Sequence, residues 1–152
     1  MRLTVYTDYS LRMLIYLAVK QDSLATIAEV ADRYAISLHH LTKVAHQLGL
    51  AGFIATVRGK GGGLRLARPA SEIRLGDVVR HTEPDMVLVP CFQAGSGDPC
   101  HIGPACGLPP ILIEARSAFM AVLDRYTLAD VVRQRDDLRT LLGLEPPAPA
   151  PA

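Results

Sequence analysis

The sequence predicts a mainly α-helical protein: a winged helix-turn-helix with a small β wing, followed by a long dimerisation helix. Three features predict this: two amphipathic helix patterns joined by a short link, a glycine-rich hairpin directly after them, and a long apolar stripe further on. We divide the 152 residues into a winged helix-turn-helix domain (1–84), a cysteine loop (85–108), a dimerisation helix with C-terminal helices (109–144) and a disordered tail (145–152).

The first two helices are indicated by apolar residues at helical spacing. The first pattern consists of Leu11, Leu14, Ile15 and Ala18. The second consists of Ile27, Val30, Ala31 and Tyr34. Thr26 and Glu29 have the spacing of a capping box, in which two side chains bond the free amides of a helix start. A link at 35–37 then fits the turn of a helix-turn-helix pair.

A third helix is predicted from Ser37, as its cap, to Gly49, which can end it in a left-handed conformation. Its apolar face is Leu38, Leu41, Ala45 and Leu48. Its outer face is His39, His40, Thr42, Lys43, His46 and Gln47. Such side chains reach base edges or phosphates in a major groove, although an ordinary solvated helix face has a similar composition. The candidate DNA contacts from this helix are Ser37, His39, His40, Lys43 and Gln47.

The segment "FIATVRGKGGGLRLAR" is typical of a strand, a glycine turn and a second strand. Leu64 and Leu66 alternate with Arg65, so that one face is apolar and the other cationic. The turn adds Arg58 and Lys60. A basic hairpin after a recognition-type helix is suited to phosphates or a minor groove. We therefore expect Arg58, Lys60 and Arg65 to contact DNA.

Charge and composition support a DNA-binding protein of the cytoplasm. Residues 1–70 carry nine Lys/Arg and four Asp/Glu, whereas residues 71–152 carry seven and eleven. No apolar run approaches the roughly 20 residues of a membrane span, and no cleavage site follows the first helix. Catalytic signatures such as HExxH or a phosphate-binding loop before a helix are also missing from the sequence, so we do not expect an enzyme.

All three cysteines lie in "CFQAGSGDPCHIGPAC", at Cys91, Cys100 and Cys106. Thiolates are soft ligands that select iron–sulfur clusters, zinc or copper, and such sites usually take four ligands. The residues alone leave three candidates for the fourth ligand: Asp98, His101 and Asp8. Each also has an ordinary role, as a turn residue, an exposed loop histidine or a helix-start charge. A structural zinc held by the cysteines and His101 is one alternative.

The second half of the sequence predicts further helices after the wing. "SEIRLGDVVRHTEP" indicates a helix capped at Ser71 and ended by Pro84. A long helix is expected after Pro109–Pro110, with an apolar stripe at Leu112, Ala115, Phe119, Val122 and Tyr126. This stripe favours pairing with a second copy, and a two-fold dimer reads a palindromic site. "LADVVRQRDDLRTLLGL" predicts one or two short helices.

The sequence resembles the winged-helix iron–sulfur transcription regulators over roughly residues 1–135. The resemblance depends on "YTDYSLRMLIYLA", "TIAEVADRYAIS", the wing "VRGKGGGLRLA", and three cysteines before a long helix. It implies a homodimer that binds double-stranded DNA and carries an iron–sulfur cofactor, [4Fe–4S] in the first place or else [2Fe–2S].

Within that family, the eight residues between Cys91 and Cys100, together with Asp8, are most similar to the nitric-oxide-sensing repressors. That similarity implies that Asp8 of the partner subunit is the fourth ligand. It further implies that loss or modification of the cluster releases DNA. The alternative within the family is a regulator that responds to cluster supply or redox state.

Overall fold

The structure is a computed structural model that describes residues 2–90 and 100–144. Cys91, Asp98 and the predicted tail lie outside the described residues. Its helices are α1 Val5–Val19, α2 Ile27–Tyr34, α3 Leu38–Leu50, α4 Leu75–Thr82, α5 Leu108–Asp124, α6 Leu128–Val131 and α7 Arg135–Leu141. Its strands are β1 Ile54–Val57 and β2 Gly63–Leu66, which form a two-stranded sheet. The predicted fold class is confirmed.

Helix α1 is the centre of the core, because α2, α3, α4, β2, α6 and α7 all pack against it. Its fully buried apolar side chains are Met13, Leu14, Tyr16, Ala18 and Val19. Full burial of one large apolar side chain contributes roughly 1.5–3 kcal/mol. This packing holds the helix-turn-helix pair, α2 and α3, in a fixed relation to the rest of the chain.

The predicted capping box at the start of α2 is confirmed, with Thr26 and Glu29 bonding reciprocally. Glu29 also accepts from the Tyr16 hydroxyl at 2.9 Å and pairs with the Lys20 ammonium group. Burial pushes the pKa of Glu29 up, but the hydrogen bonds from Lys20, Tyr16 and the Thr26 amide bring it below its ordinary value. One carboxylate therefore caps α2 and joins it to α1. Ala35, in a left-handed conformation, follows α2.

Helix α3 begins where predicted but ends later than predicted. Ser37 occupies the N-cap position, but its side chain makes no capping hydrogen bond. Leu38 is 52% exposed and so lies outside the core. At the other end α3 continues through Gly49, and Gly52 is the residue with a positive φ, 73°. The Phe53 amide donates to the Leu48 carbonyl at 3.0 Å, which closes the helix one turn later than predicted.

The predicted wing is confirmed as an antiparallel hairpin in which Thr56 faces Leu64 and Val57 faces Gly63. Leu64 also pairs with Ala25, whose carbonyl accepts from the Leu64 amide at 2.7 Å. This bridge anchors β2 to the segment just before α2. In the turn, Gly59 and Gly61 adopt φ angles of 100° and 76°, which favour glycine.

The helix predicted from Ser71 begins instead at Leu75, because residues 70–72 form a 3₁₀ turn and Ile73 is extended. The chain pairs there with the segment after α5: the Leu75 amide donates to Tyr126, and the Leu128 amide donates to Ile73. The predicted start of the long helix, after Pro110, is also wrong by three residues. Helix α5 begins at Leu108, since proline is tolerated in a first helical turn.

Two sets of side-chain bonds help to attach the C-terminal helices. Arg80 of α4 donates to both carboxylate oxygens of Asp124, at 2.8 and 2.5 Å, and these hydrogen bonds hold the pKa of Asp124 below its ordinary value. Arg135 and Arg139 of α7 donate to the Val19 carbonyl at 3.0 and 3.1 Å and also pair with Asp22. These bonds satisfy the C-terminal end of α1. Helix α5 itself has no buried residue.

Candidate DNA-binding surface and cysteine loop

The outer face of α3 is exposed along its length, as predicted. All five candidate DNA contacts from this segment are exposed: Ser37, His39, His40, Lys43 and Gln47. The inner face is anchored by Leu41, Val44, Ala45 and Leu48. The ring of Tyr9, from α1, lies 6.2 Å from that of His40, centroid to centroid. The core thus fixes how α3 presents its polar face.

The wing carries three further candidates, and Arg58, Lys60 and Arg65 are all exposed. Among the ion pairs of residues 2–90 and 100–144, none uses these side chains or Lys43. Unpaired exposed cations are free to exchange counterions for phosphates. A groove of about 530 Å³, lined by His46, Thr42 and β1 residues, separates α3 from the wing.

Two of the three predicted thiol ligands fall on the described chain. Cys100 is exposed, Cys106 is half-buried, and neither takes part in a disulfide. A 3₁₀ turn, Gly103–Ala105, separates them, and the Gly103 amide donates to the Cys100 carbonyl at 2.8 Å. His101 is exposed beside Cys100. Free, accessible thiols flanking one turn are a donor set that suits a soft metal centre.

Asp8 lies in the first turn of α1, and its side chain is 48% exposed. Its carboxylate forms an i,i+4 ion pair with Arg12, at 3.0 Å. The part of the chain that the structure describes contains no group of three His, Cys, Asp or Glu side chains placed to share a metal ion. A single copy therefore does not bring Asp8 together with Cys100 and Cys106 in such a group.

Sequence reasoning missed a polar link between α1 and the segment that leads to the cysteines. Glu83 accepts from the Thr4 amide at 2.7 Å, from the Thr4 hydroxyl at 3.0 Å and from the Thr7 hydroxyl. The Thr7 hydroxyl oxygen also lies 2.8 Å from that of Thr82, at hydrogen-bond distance. Thr4 caps α1, so a cap signal was present. Nothing local reveals a partner 79 residues away.

The comparisons with known proteins agree with this arrangement. The model of the Rrf2 family, described as an iron-dependent transcriptional regulator, matches residues 3–134. The chain belongs to the Rrf2 family. It is 48% identical, over 144 residues, to the HTH-type transcriptional regulator NsrR of Bacillus licheniformis, covering 94% of this chain and 100% of that protein. It is 47% identical to NsrR of Bacillus subtilis, covering 95% and 99% of the two chains.

Solved structures show the same fold. The cysteine regulator CymR of B. subtilis aligns with a TM-score of 0.71 and 25% identity, over 88% of this chain and 98% of that one. The T. potens IscR structure aligns with a TM-score of 0.71 over 91% of each chain, at 22% identity. This Rrf2 protein is therefore a DNA-binding transcriptional regulator, and the family resemblance seen in its sequence is confirmed. None of its described helices is long and apolar enough to cross a membrane.

Proposed function

We propose that this Rrf2 protein is a homodimeric repressor that holds an iron–sulfur cluster and releases DNA when nitric oxide reaches that cluster. One observation carries the proposal: two disulfide-free thiols, Cys100 and Cys106, flank an exposed turn in a chain that is 48% identical to an NsrR regulator. The nitric oxide signal comes from the resemblance in cysteine spacing and Asp8 described above.

The proposed ligands are Cys91, Cys100 and Cys106, with Asp8 of the partner subunit as the fourth, holding a [4Fe–4S] or a [2Fe–2S] cluster. Thiolates suit iron–sulfur chemistry, and three of them leave one position for another donor. When bound, the cluster supplies an iron at which a small diatomic can replace an oxygen ligand. A carboxylate is the harder and more exchangeable donor of the set.

Asp8 has an alternative partner within its own helix, because Arg12 pairs with it at 3.0 Å in the structure. The carboxylate therefore has two competing arrangements, with the metal centre of a second subunit or with Arg12. Glu83 fixes the start of α1 to the chain that leads into the cysteine loop through Thr4 and Thr7. A change at the cysteines is thereby transmitted to α1, the helix on which α2 and α3 pack.

DNA binding is assigned to two surfaces. Ser37, His39, His40, Lys43 and Gln47 are proposed to enter the major groove. Arg58, Lys60 and Arg65 are proposed to contact phosphates or the minor groove from the wing. Both sets are exposed, and their Lys and Arg side chains have no ion-pair partner among the described residues.

Dimerisation is assigned to α5. Its exposed large apolar side chains Leu108, Ile111 and Val122, with Tyr126 just beyond its end, share one face by helical spacing, whereas Ile113 is exposed on the opposite side. In one copy this helix packs on α4 and leaves that surface open. A second copy would cover this surface and place two DNA-binding domains on a palindromic operator.

The proposal is tested first by the anaerobic absorbance spectrum of the purified protein, together with iron, sulfide and zinc analysis. Broad visible absorption with matching iron and sulfide is expected. Cys100→Ala and Cys106→Ala should each abolish that absorption, whereas the matched loop variant His101→Ala should keep it. A colourless protein with one zinc per chain would instead identify the structural zinc site.

The signal is tested by anaerobic fluorescence anisotropy on operator DNA. Nitric oxide should weaken binding of the cluster-loaded protein by at least about tenfold, and the Cys106→Ala protein should not respond. Equal DNA affinity before and after nitric oxide, combined with a strong dependence on cluster content, would favour the reading in which cluster supply is the signal.

A further inference from the structure

A second cavity, of about 570 Å³, lies at the base of the wing, away from the α3 groove. Its walls come from the end of α1, from the end of β2 and the segment that follows it, and from Ala129 of α6. Volumes of this size are typical of sites for small molecules. Of the proposed DNA contacts, Arg65 lines it, and neither Cys100 nor Cys106 does.

The walls of this cavity are cationic. Lys20, Arg65 and Arg68 all line it, and no Asp or Glu among the described residues does. Lys20 forms an ion pair with Glu29, which does not line the cavity. The guanidinium of Arg65 makes one long hydrogen bond, 3.5 Å, to the carbonyl of Leu66. Gln21 and Ser71 add neutral donors to the same walls.

Arg68 indicates the kind of ligand that the cavity binds. Its guanidinium carbon lies 5.0 Å from the centroid of the Phe53 ring, a cation–π distance that fixes the group in place. Its Nε is buried, yet it has no hydrogen-bond partner among residues 2–90 and 100–144. Buried donors are nearly always satisfied, so an orphaned charged one beside a cavity indicates a missing acceptor.

We propose that this cavity binds an oxyanion, a carboxylate or phosphate group, which accepts from Nε of Arg68 and is held by the charge of Arg65. Guanidinium groups bind such anions through several parallel hydrogen bonds. Two sources can supply this oxyanion: a free small anion, or a DNA backbone phosphate near the wing. The size of the cavity favours the free anion. This site does not depend on the cluster.

The test uses the full-length protein without DNA and inorganic phosphate as the probe, at an ionic strength held constant with sodium chloride. Calorimetry should show saturable binding, and amide shifts should move at Gln21, Ser71 and Ala129. Arg68→Gln should weaken binding by tenfold or more. Ser71→Asp keeps Arg68 and its ring contact, and should weaken binding similarly through charge repulsion. Arg74→Gln, with an equal charge change at an exposed position outside the cavity and the DNA-binding surfaces, should bind like the parent.

A second arm measures how operator affinity depends on salt for the Arg68→Gln and Ser71→Asp variants. Phosphate binding lost in both variants, with the parental salt dependence, supports the free anion. No phosphate binding by the free protein, with a salt slope reduced by about one in Arg68→Gln, assigns the oxyanion to the DNA backbone. The proposal is overturned if neither change appears, or if Arg74→Gln weakens phosphate binding as much as Arg68→Gln does.

Discussion

Helices α1 and α5 are similar in length and both are mostly apolar, but they are buried very differently. Eight of the fifteen residues of α1 are buried, whereas none of the seventeen residues of α5 is. Helix α1 is surrounded by six other elements of its own chain. Helix α5 packs on α4 and is fixed near its end by the Arg80–Asp124 bonds.

The difference separates two ways in which an apolar helix is used. In the DNA-binding domain (1–84), the apolar surface of α1 is covered by α2, α3 and α4 of the same chain. Helix α5 leaves Ile111 62% exposed and Val122 44% exposed, which is costly for a surface in water. An apolar stripe of this length is completed by a second surface, and the proposed dimer supplies one.

The largest expected effect is in the core around α1. Leu14 is fully buried, so Leu14→Ala should lower the free energy of unfolding by about 2–5 kcal/mol through lost burial and a cavity. The matched control is Leu141→Ala in α7, at a side chain that is 82% exposed, which should change it by less than about 0.5 kcal/mol. Urea denaturation measures both. Equal losses would mean that α1 is not the centre of the core.

The next effect concerns the exposed stripe of α5. Val122→Glu should leave the protomer folded but weaken the dimer by about 2–3 kcal/mol, because the new charge is desolvated at the interface. Val131→Glu is the matched control, since Val131 of α6 is 40% exposed and Val122 is 44% exposed. Sedimentation equilibrium gives the dissociation constants. A dimer of parental strength in Val122→Glu would exclude this face of α5 from the interface.

Local signals in the sequence predicted the elements that local bonds determine. The Thr26–Glu29 capping box set the start of α2, and the alternation at Leu64 and Leu66 predicted the wing. The start of α4 was wrong because Ile73 and Leu75 pair with residues after α5, a contact that no local pattern shows. The end of α3 was wrong because two glycines lay close together, and tertiary closure selected Gly52.

The candidate site divides in the same way. Helical periodicity predicted that His39, Lys43 and Gln47 share an exposed face, since spacing alone fixes the faces of a helix. Periodicity does not reveal what approaches a face from a distant part of the chain. The bond from Thr4 to Glu83 and the stacking of Arg68 on Phe53 therefore emerged only from the structure.

A smaller effect is expected at the wing, and it tests the role of the DNA-binding domain (1–84). The double variant Lys60→Ala, Arg65→Ala should reduce the salt slope of operator binding by about two, one for each lost phosphate contact. Arg74→Ala with Arg133→Ala removes equal charge from exposed positions outside α3 and the wing. That control should keep the parental slope. Fluorescence anisotropy at several salt concentrations measures both, and equal slopes would remove the wing from the interface.

The smallest effect on stability, and the most specific on function, is expected at Asp8, where the two halves are proposed to meet across the dimer. Asp8→Ala breaks an exposed i,i+4 ion pair with Arg12, so the free energy of unfolding should fall by only about 0.5 kcal/mol. Three thiolates remain, and the variant should still hold a cluster. Its visible spectrum and its rate of reaction with nitric oxide should change, because the exchangeable donor is gone.

Arg12→Gln is the control that separates the two roles of Asp8. It removes the same ion pair but leaves the carboxylate, so a purely structural role predicts equal behaviour of the two variants. A ligand role predicts that only Asp8→Ala alters the anaerobic spectrum and uncouples DNA affinity from cluster content. If Asp8→Ala matches the parent in spectrum, nitric oxide kinetics and DNA binding, Asp8 is a helix-start charge. His101→Ala and Asp98→Ala then become the variants in which the fourth ligand is sought.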